Sequence, residues 1–551
     1  MAAVKYGKLI RTETGWRMED VPAHVSLRLK QIFPRLDKAA RGTFEFPGDD
    51  VTAADLDWFR DRYPFLIEPE ANQALIRGRL AHEERQSETE RLFLNGFKPP
   101  TYAGLQPGQT VRRYQAQAVE MLRLSGGLLL GDDVGLGKTF TTCAAMLVPG
   151  ALPAVVVCQP HLQRQWCRVI ESFTTLKAHA VKKTSPYTLP KADVLVFRYT
   201  QLAGWVEQFP ELAPRLVAFD EIQELRKGEE ALKGRAALEL VRSADYRVGL
   251  SATPIYNKGA EIWTIYQYLA PDVLGPFMEF QREWCGYGYW VADPVALGDY
   301  LRDGHVFLRR TKADVGQELP KVSRIIEYIE HDAGELAKIE DVARRLALTA
   351  TTSDSFHERG QAARDLDLRL RHATGVAKAR VVAAMARVLV ESGEPVIMAG
   401  WHRDVYDIWS EALHDLEPAY YTGTETAAAK QREVDRFVSG ETNLMFMSLR
   451  SGAGVDGLQL RCSTMIIGEL DWSPATHTQI IGRLDREGQT QPVTAIFPVA
   501  SDGSDPPMME LNGLKASQAA GITDRGVAQA ASTDRTRLQA LVGRYLKGGT
   551  G

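Results

Sequence analysis

The chain has 551 residues, and its 66 Lys and Arg against 70 Asp and Glu give a formal net charge of −4. With 44% hydrophobic and 25% charged residues it has the composition of a globular protein, which excludes a wholly disordered, collagen-like or coiled-coil chain. Because the charge is balanced, any nucleic-acid site would have to be a local basic groove. The five cysteines show no CxxC spacing, and no run approaches the roughly 18 apolar residues of a membrane span, so we expect a soluble cytoplasmic protein.

Residues 1–105 mix charged and aromatic side chains, which is typical of a folded domain. Helical spacing is found near 53–65 and 75–95. No residue pattern in this region indicates chemistry. We therefore interpret it as an N-terminal accessory domain.

From about residue 106 the pattern changes to short apolar runs separated by longer amphipathic stretches. Short buried strands alternating with helices predict parallel sheets covered on both faces. The sequence therefore predicts an α/β protein with a first parallel-sheet lobe over 106–330 and a second over 376–510. A charge-rich helical linker would occupy 331–375, and a C-terminal tail 511–551. The predicted strands are Leu128–Leu130, Ala154–Cys158, Val194–Phe197, Leu216–Phe219, Tyr246–Leu250, Pro395–Ala399, Leu444–Met447, Thr464–Ile467 and Val493–Phe497.

The first predicted strand of the first lobe leads into the sequence GDDVGLGKT. A strand, a glycine-rich loop and a helix that opens with Lys-Thr form a cradle for phosphate groups. Gly135, Leu136 and Gly137 would bring backbone N–H groups to the phosphate oxygens. Lys138 would reach the terminal phosphates, and the Thr139 hydroxyl would bind Mg²⁺. The strict phosphate-loop pattern fails at one position, where Asp132 replaces the first glycine.

Two carboxylates follow another apolar strand in the sequence LVAFDEIQ. They are expected at the carboxyl edge of the sheet, where α/β proteins bind ligands. Asp220 would hold Mg²⁺ and Glu221 would orient and deprotonate an attacking water. Ser251 and Thr253, in the sequence SAT after a further strand, could link the carboxylate pair to the second lobe.

Taken together, these motifs resemble those of superfamily 2 helicase-like ATPases, and most closely the SWI/SNF-like DNA translocases. DDVGLGKT is similar to the DEMGLGKT of that family, which accounts for the aspartate at the first glycine position. FLRRTKADVGQELPK is similar to its LRRTK signature, and GRLDREGQT to its DR-HR-GQT segment. The resemblance covers roughly residues 105–500. It implies two RecA-like lobes with ATP at their interface and Mg²⁺ as the metal.

The resemblance also implies roles for residues outside the phosphate loop. Gln115 would read the adenine base with its amide. Arg483 and Arg486 would be the arginine fingers of the second lobe, supported by Gln479. Gln223 would take over a coupling role, because DEIQ replaces the commoner DEAH or DEGH.

DNA contacts are implied at four places, where hydroxyl, amide and arginine side chains suit phosphate groups. Each of these residues could instead have a purely structural role. The residues are Pro160, Gln163, Tyr199, Thr200, Trp401, His402, Arg403, Ser448 and Arg450.

Some stretches, such as HATGVAKARVVAAM and GELDWSP, resemble the annealing-helicase (HARP-like) branch more than chromatin remodellers. The loop SLRSGAGVDGLQL is about two residues longer than its family counterpart, so its register is open. The compact build is typical of a bacterial or phage-encoded enzyme.

The resemblance therefore implies an ATP-dependent translocase on duplex or forked DNA that remodels DNA or protein–DNA complexes. Three alternatives remain: a strand-separating helicase, an RNA-polymerase recycling factor of the same family, and a DNA- or partner-binding module with an inactive ATPase. The N-terminal domain could choose the substrate. Its aromatic stretch Trp58–Phe65 is interpreted as domain core rather than as a reader of DNA structure.

Overall fold

The computed structural model describes residues 5–510, except 95, 253–258, 286–289, 317–321, 424, 450–454, 456 and 487. The expectations for Thr253, Arg450 and the C-terminal tail lie outside the described residues. Within the described part of the chain, no helix combines the length and the apolar character needed to cross a membrane.

The N-terminal domain packs three helices against a small sheet of order β3-β2-β1-β4. Phe59 and Phe65 are buried in its core, as predicted for this aromatic stretch, whereas Trp58 is 64% exposed. Arg35 fixes the domain to the first lobe, since its guanidinium donates to Glu283 Oε2 at 2.6 Å and to the Val273 carbonyl at 2.8 Å. The elements are β1 (Lys8–Arg11), β2 (Gly15–Glu19), α1 (Ala23–Ile32), β3 (Phe44–Pro47), α2 (Asp50–Arg62), β4 (Leu66–Ile67) and α3 (Pro69–Phe93).

The first lobe is built on a parallel sheet, which in the described residues has the order β11-β5-β10-β9-β6-β8-β7. Strands β5, β6 and β9 lie inside this sheet and are buried almost throughout, which explains why they read as continuous apolar runs. The elements are α4 (Arg113–Ser125), β5 (Gly127–Leu130), α5 (Lys138–Ala145), β6 (Ala154–Cys158), α6 (Gln163–Phe173), β7 (Ala178–Ala180), β8 (Val194–Arg198), α7 (Leu202–Trp205), α8 (Phe209–Leu212), β9 (Leu216–Asp220), α9 (Leu232–Val241), β10 (Tyr246–Leu250), α10 (Glu261–Leu269), α11 (Pro271–Leu274), α12 (Phe277–Trp284), α13 (Pro294–Asp303) and β11 (Phe307–Leu308).

The second lobe contains another parallel sheet, of order β12-β17-β16-β13-β15-β14 in the described residues. The predicted α/β architecture with two parallel-sheet lobes is confirmed. The elements are β12 (Val322–Ile329), α14 (Ala333–Ala337), α15 (Glu340–Thr352), α16 (Phe356–Glu391), β13 (Val396–Gly400), α17 (Arg403–Leu413), β14 (Ala419–Tyr421), α18 (Ala427–Ser439), β15 (Leu444–Ser448), β16 (Thr464–Ile467), α19 (Pro474–Ile481) and β17 (Val493–Ala500).

Two of the predicted domain boundaries need correction. Strand β12 lies within the span assigned to the first lobe, but it pairs with β17 and so belongs to the second sheet. It is an edge strand with mostly exposed side chains, so its sequence lacks the apolar run of a buried strand. Helix α16 continues through the expected boundary at residue 375, and its second half packs against α17 as part of the second lobe.

A buried ion pair fixes helix α16 to the second lobe. The Lys378 ammonium lies 2.7 Å from Asp505 Oδ2 and donates to the Pro498 carbonyl at 2.8 Å. The side chains of Lys378 and Asp505 are 1% and 3% exposed. A buried charge that loses its partner is strongly destabilising, so this pair should matter for the stability of the lobe.

We expect Lys378→Met to lower the free energy of unfolding by about 3 kcal/mol, because Asp505 keeps its charge in a buried site without its cation. Urea denaturation followed by circular dichroism would measure the change. Lys338→Met is the matched control, since Lys338 is 66% exposed and should cost less than about 0.5 kcal/mol. Equal losses in the two variants would contradict the prediction.

Candidate nucleotide site between the two lobes

The loop between β5 and α5 has the backbone of a phosphate cradle. Gly135 and Gly137 have φ values of +93° and +73°, which glycine adopts without strain. A Cβ atom at Gly137 would come within 2.8 Å of the Gln115 amide nitrogen, so a larger residue there would displace the Gln115 side chain. Helix α5 begins at Lys138, and the N–H groups of its first turn have no partners within the helix. These groups fit a nucleotide phosphate at the helix N-terminus.

The Lys138 side chain is turned onto this loop. Its Nζ donates to the carbonyl oxygens of Asp132 and Asp133 at 2.5 and 3.2 Å. Burial lowers the pKa of Lys138 despite the nearby carboxylates. An anionic ligand would compensate the buried ammonium, and phosphate groups would do so.

The predicted carboxylate pair lies at the end of β9, beside the phosphate loop. Burial, reinforced by the charge of Glu221, raises the pKa of Asp220, so a cation would be favourable beside it. Asp220 Oδ2 accepts a hydrogen bond of 2.8 Å from Trp166 Nε1 on α6, a contact that the sequence did not reveal. Thr139 lies in the first turn of α5, where the prediction placed it. The carboxylate and the hydroxyl are both oxygen ligands of the kind Mg²⁺ prefers.

A residue of the second lobe reaches this pair directly. Gln479 on α19 donates from Nε2 to Glu221 Oε2 at 3.0 Å. Gln223 donates to the same oxygen from its own loop, which is where the resemblance placed a coupling residue. Glu221 is therefore held by one amide from each lobe.

The arginine-bearing loop after α19 lies against the phosphate loop. A Cβ atom at Gly135 would be 3.4 Å from the Arg486 Cβ, and one at Gly482 would be 3.3 Å from the Val134 Cβ. The charge of Arg483 is close enough to Asp220 to oppose the rise in its pKa. Both arginines thus lie on the side of the second lobe that faces the predicted nucleotide.

Asp132, the residue that breaks the strict phosphate-loop pattern, forms a buried ion pair with Arg310. The Arg310 backbone N–H and Nε each donate to Asp132 Oδ1 at 3.0 Å, and Nη2 donates to Oδ2 at 2.5 Å. Asp132 is fully buried and Arg310 is 8% exposed. The sequence signal for Arg310 was the LRRTK signature, which identified the family but no role for its residues.

Gln115 and its neighbour Tyr114 brace the phosphate loop at Leu136. The Tyr114 hydroxyl donates to the Leu136 carbonyl at 3.0 Å, and the Gln115 amide lies 3.5 Å from the same oxygen. Gln115 Oε1 also accepts from the Arg112 N–H at 3.0 Å, which caps helix α4. The recognition of adenine by Gln115 stays a prediction.

Ser251 is buried at the end of β10, and its N–H donates to the Leu130 carbonyl at 3.2 Å. It lies beside the strand that leads into the phosphate loop. Its coupling role also stays a prediction.

Some of the residues predicted to contact DNA are exposed to solvent and others are not. Pro160, Thr200, Trp401 and Arg403 are exposed, and Ser448 is partly exposed.

Three other residues predicted to contact DNA have buried or nearly buried side chains with partners inside the protein. Gln163 donates to the Val181 and Val196 carbonyls, each at 2.8 Å. Tyr199 donates to the Asp220 carbonyl at 2.9 Å, behind the carboxylate pair. The His402 side chain is 10% exposed, with Nδ1 2.5 Å from Glu469 Oε1. Each of these side chains is thus engaged in a contact inside the protein, and its predicted contact with DNA stays a prediction.

The family model of the SNF2-related domain matches residues 64–374. It covers more than half of the chain, and the chain therefore belongs to the SNF2-related family.

Curated relatives agree with this assignment. The chain is 24% identical to the uncharacterized ATP-dependent helicase MG018 of Mycoplasma genitalium over 70% of its length and 39% of that protein. It is 25% identical to the SWI/SNF-related matrix-associated actin-dependent regulator of chromatin subfamily A-like protein 1 of Xenopus tropicalis, over 72% of this chain and 43% of that protein. It is 23% identical to the human DNA excision repair protein ERCC-6, over 76% of this chain and 32% of that protein. The chain therefore spans between about a third and slightly over two fifths of the length of these relatives.

Among solved structures, the Sulfolobus solfataricus SWI2/SNF2 ATPase core in complex with dsDNA is 20% identical. The match covers 78% of this chain and 96% of that one. Its TM-score is 0.38, too low to transfer any geometry to this chain.

We expect Asp132→Gly, which restores the strict phosphate-loop pattern, to destabilise the protein by about 3–5 kcal/mol. The substitution leaves the buried guanidinium of Arg310 without its carboxylate. Thermal unfolding and the KM for ATP would measure the loss, and KM should rise because the loop is no longer held.

The double variant Asp132→Gly/Arg310→Met is the control for this prediction. Removing both charges should restore at least half of the lost stability. A stable Asp132→Gly variant with an unchanged KM would contradict the proposed function of the ion pair as an anchor.

Proposed function

We propose that this protein is a DNA-stimulated ATPase that moves along duplex or forked DNA and thereby remodels DNA or protein–DNA complexes. The observation that carries the proposal is the convergence of both lobes on one site. The phosphate loop and the carboxylate pair belong to the first lobe, whereas Gln479, Arg483 and Arg486 come from the second. The hydrogen bond between Gln479 and Glu221 joins the two halves.

The first lobe would bind ATP and prepare the water that attacks it. Lys138 and the N–H groups of the phosphate loop would hold the β- and γ-phosphates. Glu221, oriented by the amides of Gln223 and Gln479, would position and deprotonate the water. Mg²⁺ held by Thr139 and Asp220 would neutralise charge on the phosphate oxygens.

The second lobe would make hydrolysis depend on lobe closure. Planar guanidinium groups that approach from the opposite lobe stabilise the charge that develops on a transferred phosphoryl group. Arg483 and Arg486 would do this only while the lobes are together. Cycles of closing and opening would then move two DNA-gripping surfaces relative to each other.

The proposed DNA surface consists of exposed or partly exposed residues at the carboxyl ends of parallel strands. Pro160 comes after β6, Thr200 after β8, Trp401 and Arg403 after β13, and Ser448 ends β15. Backbone, hydroxyl and guanidinium groups at these places suit DNA phosphates, which are contacted without reading sequence. Membership of the SNF2-related family supports this assignment.

We expect duplex or forked DNA to raise the rate of ATP hydrolysis at least tenfold, with single-stranded DNA and RNA having smaller effects. Lys138→Ala should lower the stimulated rate by at least a hundredfold, because the buried cation of the phosphate site is lost. Steady-state hydrolysis with each nucleic acid and with none would measure both effects.

Lys338→Ala, at an exposed residue directly after α14, serves as the matched control and should behave as the unaltered protein. Stimulation by single strands or RNA alone would contradict the duplex translocase and favour a strand-separating helicase. A lack of stimulation by every nucleic acid would contradict DNA dependence and favour a protein-dependent or inactive ATPase.

A further inference from the structure

Lys312 connects the first lobe to the arginine-bearing loop of the second. Its Nζ lies 2.8 Å from Asp485 Oδ1, and it also donates to the Asp485 carbonyl. The Lys312 side chain is 10% exposed and that of Asp485 is 29% exposed. Asp485 stands between Arg483 and Arg486 in the sequence, so this contact fixes the backbone that carries both arginines.

The backbone that leads to Lys312 is hydrogen-bonded to the start of the phosphate loop. Strand β11 pairs in parallel with β5, and the pairing continues past both strands. The Gly131 N–H donates to the Leu308 carbonyl at 2.7 Å, and the Asp133 N–H to the Arg310 carbonyl at 2.9 Å. The segment that ends in Lys312 thus runs alongside the start of the phosphate loop.

Arg309 and Arg310 lock the same two segments together through their side chains. Arg309 donates to the Gly131 carbonyl at 2.8 Å and lies 3.3 Å from Asp133 Oδ1, while Arg310 holds Asp132. The Lys312 Cε lies 3.7 Å from where a Cβ of Gly135 would be, and the Arg486 Cβ lies 3.4 Å from the same point. Lys312 and Arg486 therefore meet over one glycine of the phosphate loop.

We propose that Lys312 is a positioning residue that aligns the two arginines of the second lobe with the phosphate loop, through its bonds to Asp485. This inference rests on the proposed function, since it assumes that Arg483 and Arg486 act during ATP hydrolysis. Lys312 holds the loop that carries them, and the arginines meet the substrate. Within the LRRTK segment, Arg309 and Arg310 then hold the phosphate loop, and Lys312 contacts the second lobe.

If Lys312 positions the arginines without binding ATP, its loss should lower kcat and leave the KM for ATP nearly unchanged. Lys312→Met keeps the length of the side chain but removes its charge and its donors. We expect it to lower kcat for DNA-stimulated ATP hydrolysis at least tenfold, while the KM for ATP and the midpoint of thermal unfolding change little. Lys312→Arg should recover most of the rate, because it restores a cation that can reach Asp485.

Asp485→Asn tests the partner. If both residues act through one contact, the double variant Lys312→Met/Asp485→Asn should lose no more rate than Lys312→Met alone. Lys338→Met, directly after α14, is the matched lysine control and should leave kcat unchanged. Multiplied losses in the double variant, or a raised KM with an unchanged kcat, would overturn the proposal.

A second measurement keeps the inference separate from the proposed function. Small-angle X-ray scattering of the full chain without nucleotide should give a larger radius of gyration for Lys312→Met than for the unaltered protein and for Lys312→Arg. If the unaltered protein hydrolyses no ATP with any nucleic acid, the proposed function fails, and scattering alone decides the role of Lys312. Identical scattering curves would then overturn it.

Discussion

The ion pair between Asp132 and Arg310 is the constraint on which the candidate site depends. A phosphate loop must hold several N–H groups in one orientation before a nucleotide arrives, and glycines alone would leave such a loop with many conformations. Here the first position of the phosphate-loop pattern holds a buried carboxylate that accepts three hydrogen bonds from one arginine. The loop therefore starts from a fixed point, and the freedom of its glycines is confined to the turn before α5.

This constraint extends from the phosphate loop to the lobe interface. Arg310 is two residues before Lys312, and the ladder between β11 and β5 sets the direction of the whole segment. The same stretch of chain thus determines the shape of the nucleotide cradle and the place where the second lobe makes contact. On the other side of the site, Gln479 reaches Glu221, so polar contacts between the lobes are found both at the carboxylate pair and beside the phosphate loop.

Much of the architecture could be predicted from the sequence, because strands such as β6 and β9 are buried on both faces and read as apolar runs. Strands β11 and β12 could not, since one has two residues and the other is largely exposed. The motifs likewise predicted that Lys138, Asp220 and Glu221 belong to one site, because each lies at a fixed place after a predicted strand.

Contacts between residues far apart in the chain could not be predicted from the sequence. Asp132 and Arg310 are 178 residues apart, and neither residue type predicts the other. Nor did the sequence show that Gln163 and Tyr199 are buried. An amide or a phenol after a strand fits a DNA phosphate and a backbone carbonyl equally well, and only the fold decides which one it meets.

The replacement of histidine by Gln223 in the DEIQ motif has a consequence for the conditions under which the site can work. An imidazole at this place would change its charge between about pH 5 and 8, and with it the strength of its contact to Glu221. The Gln223 amide donates to Glu221 without any proton to gain or lose. Gln223 therefore adds no titrating group to the site, and a pH dependence of the site would arise from groups such as Asp220 and Lys138, whose pKa values are shifted by burial.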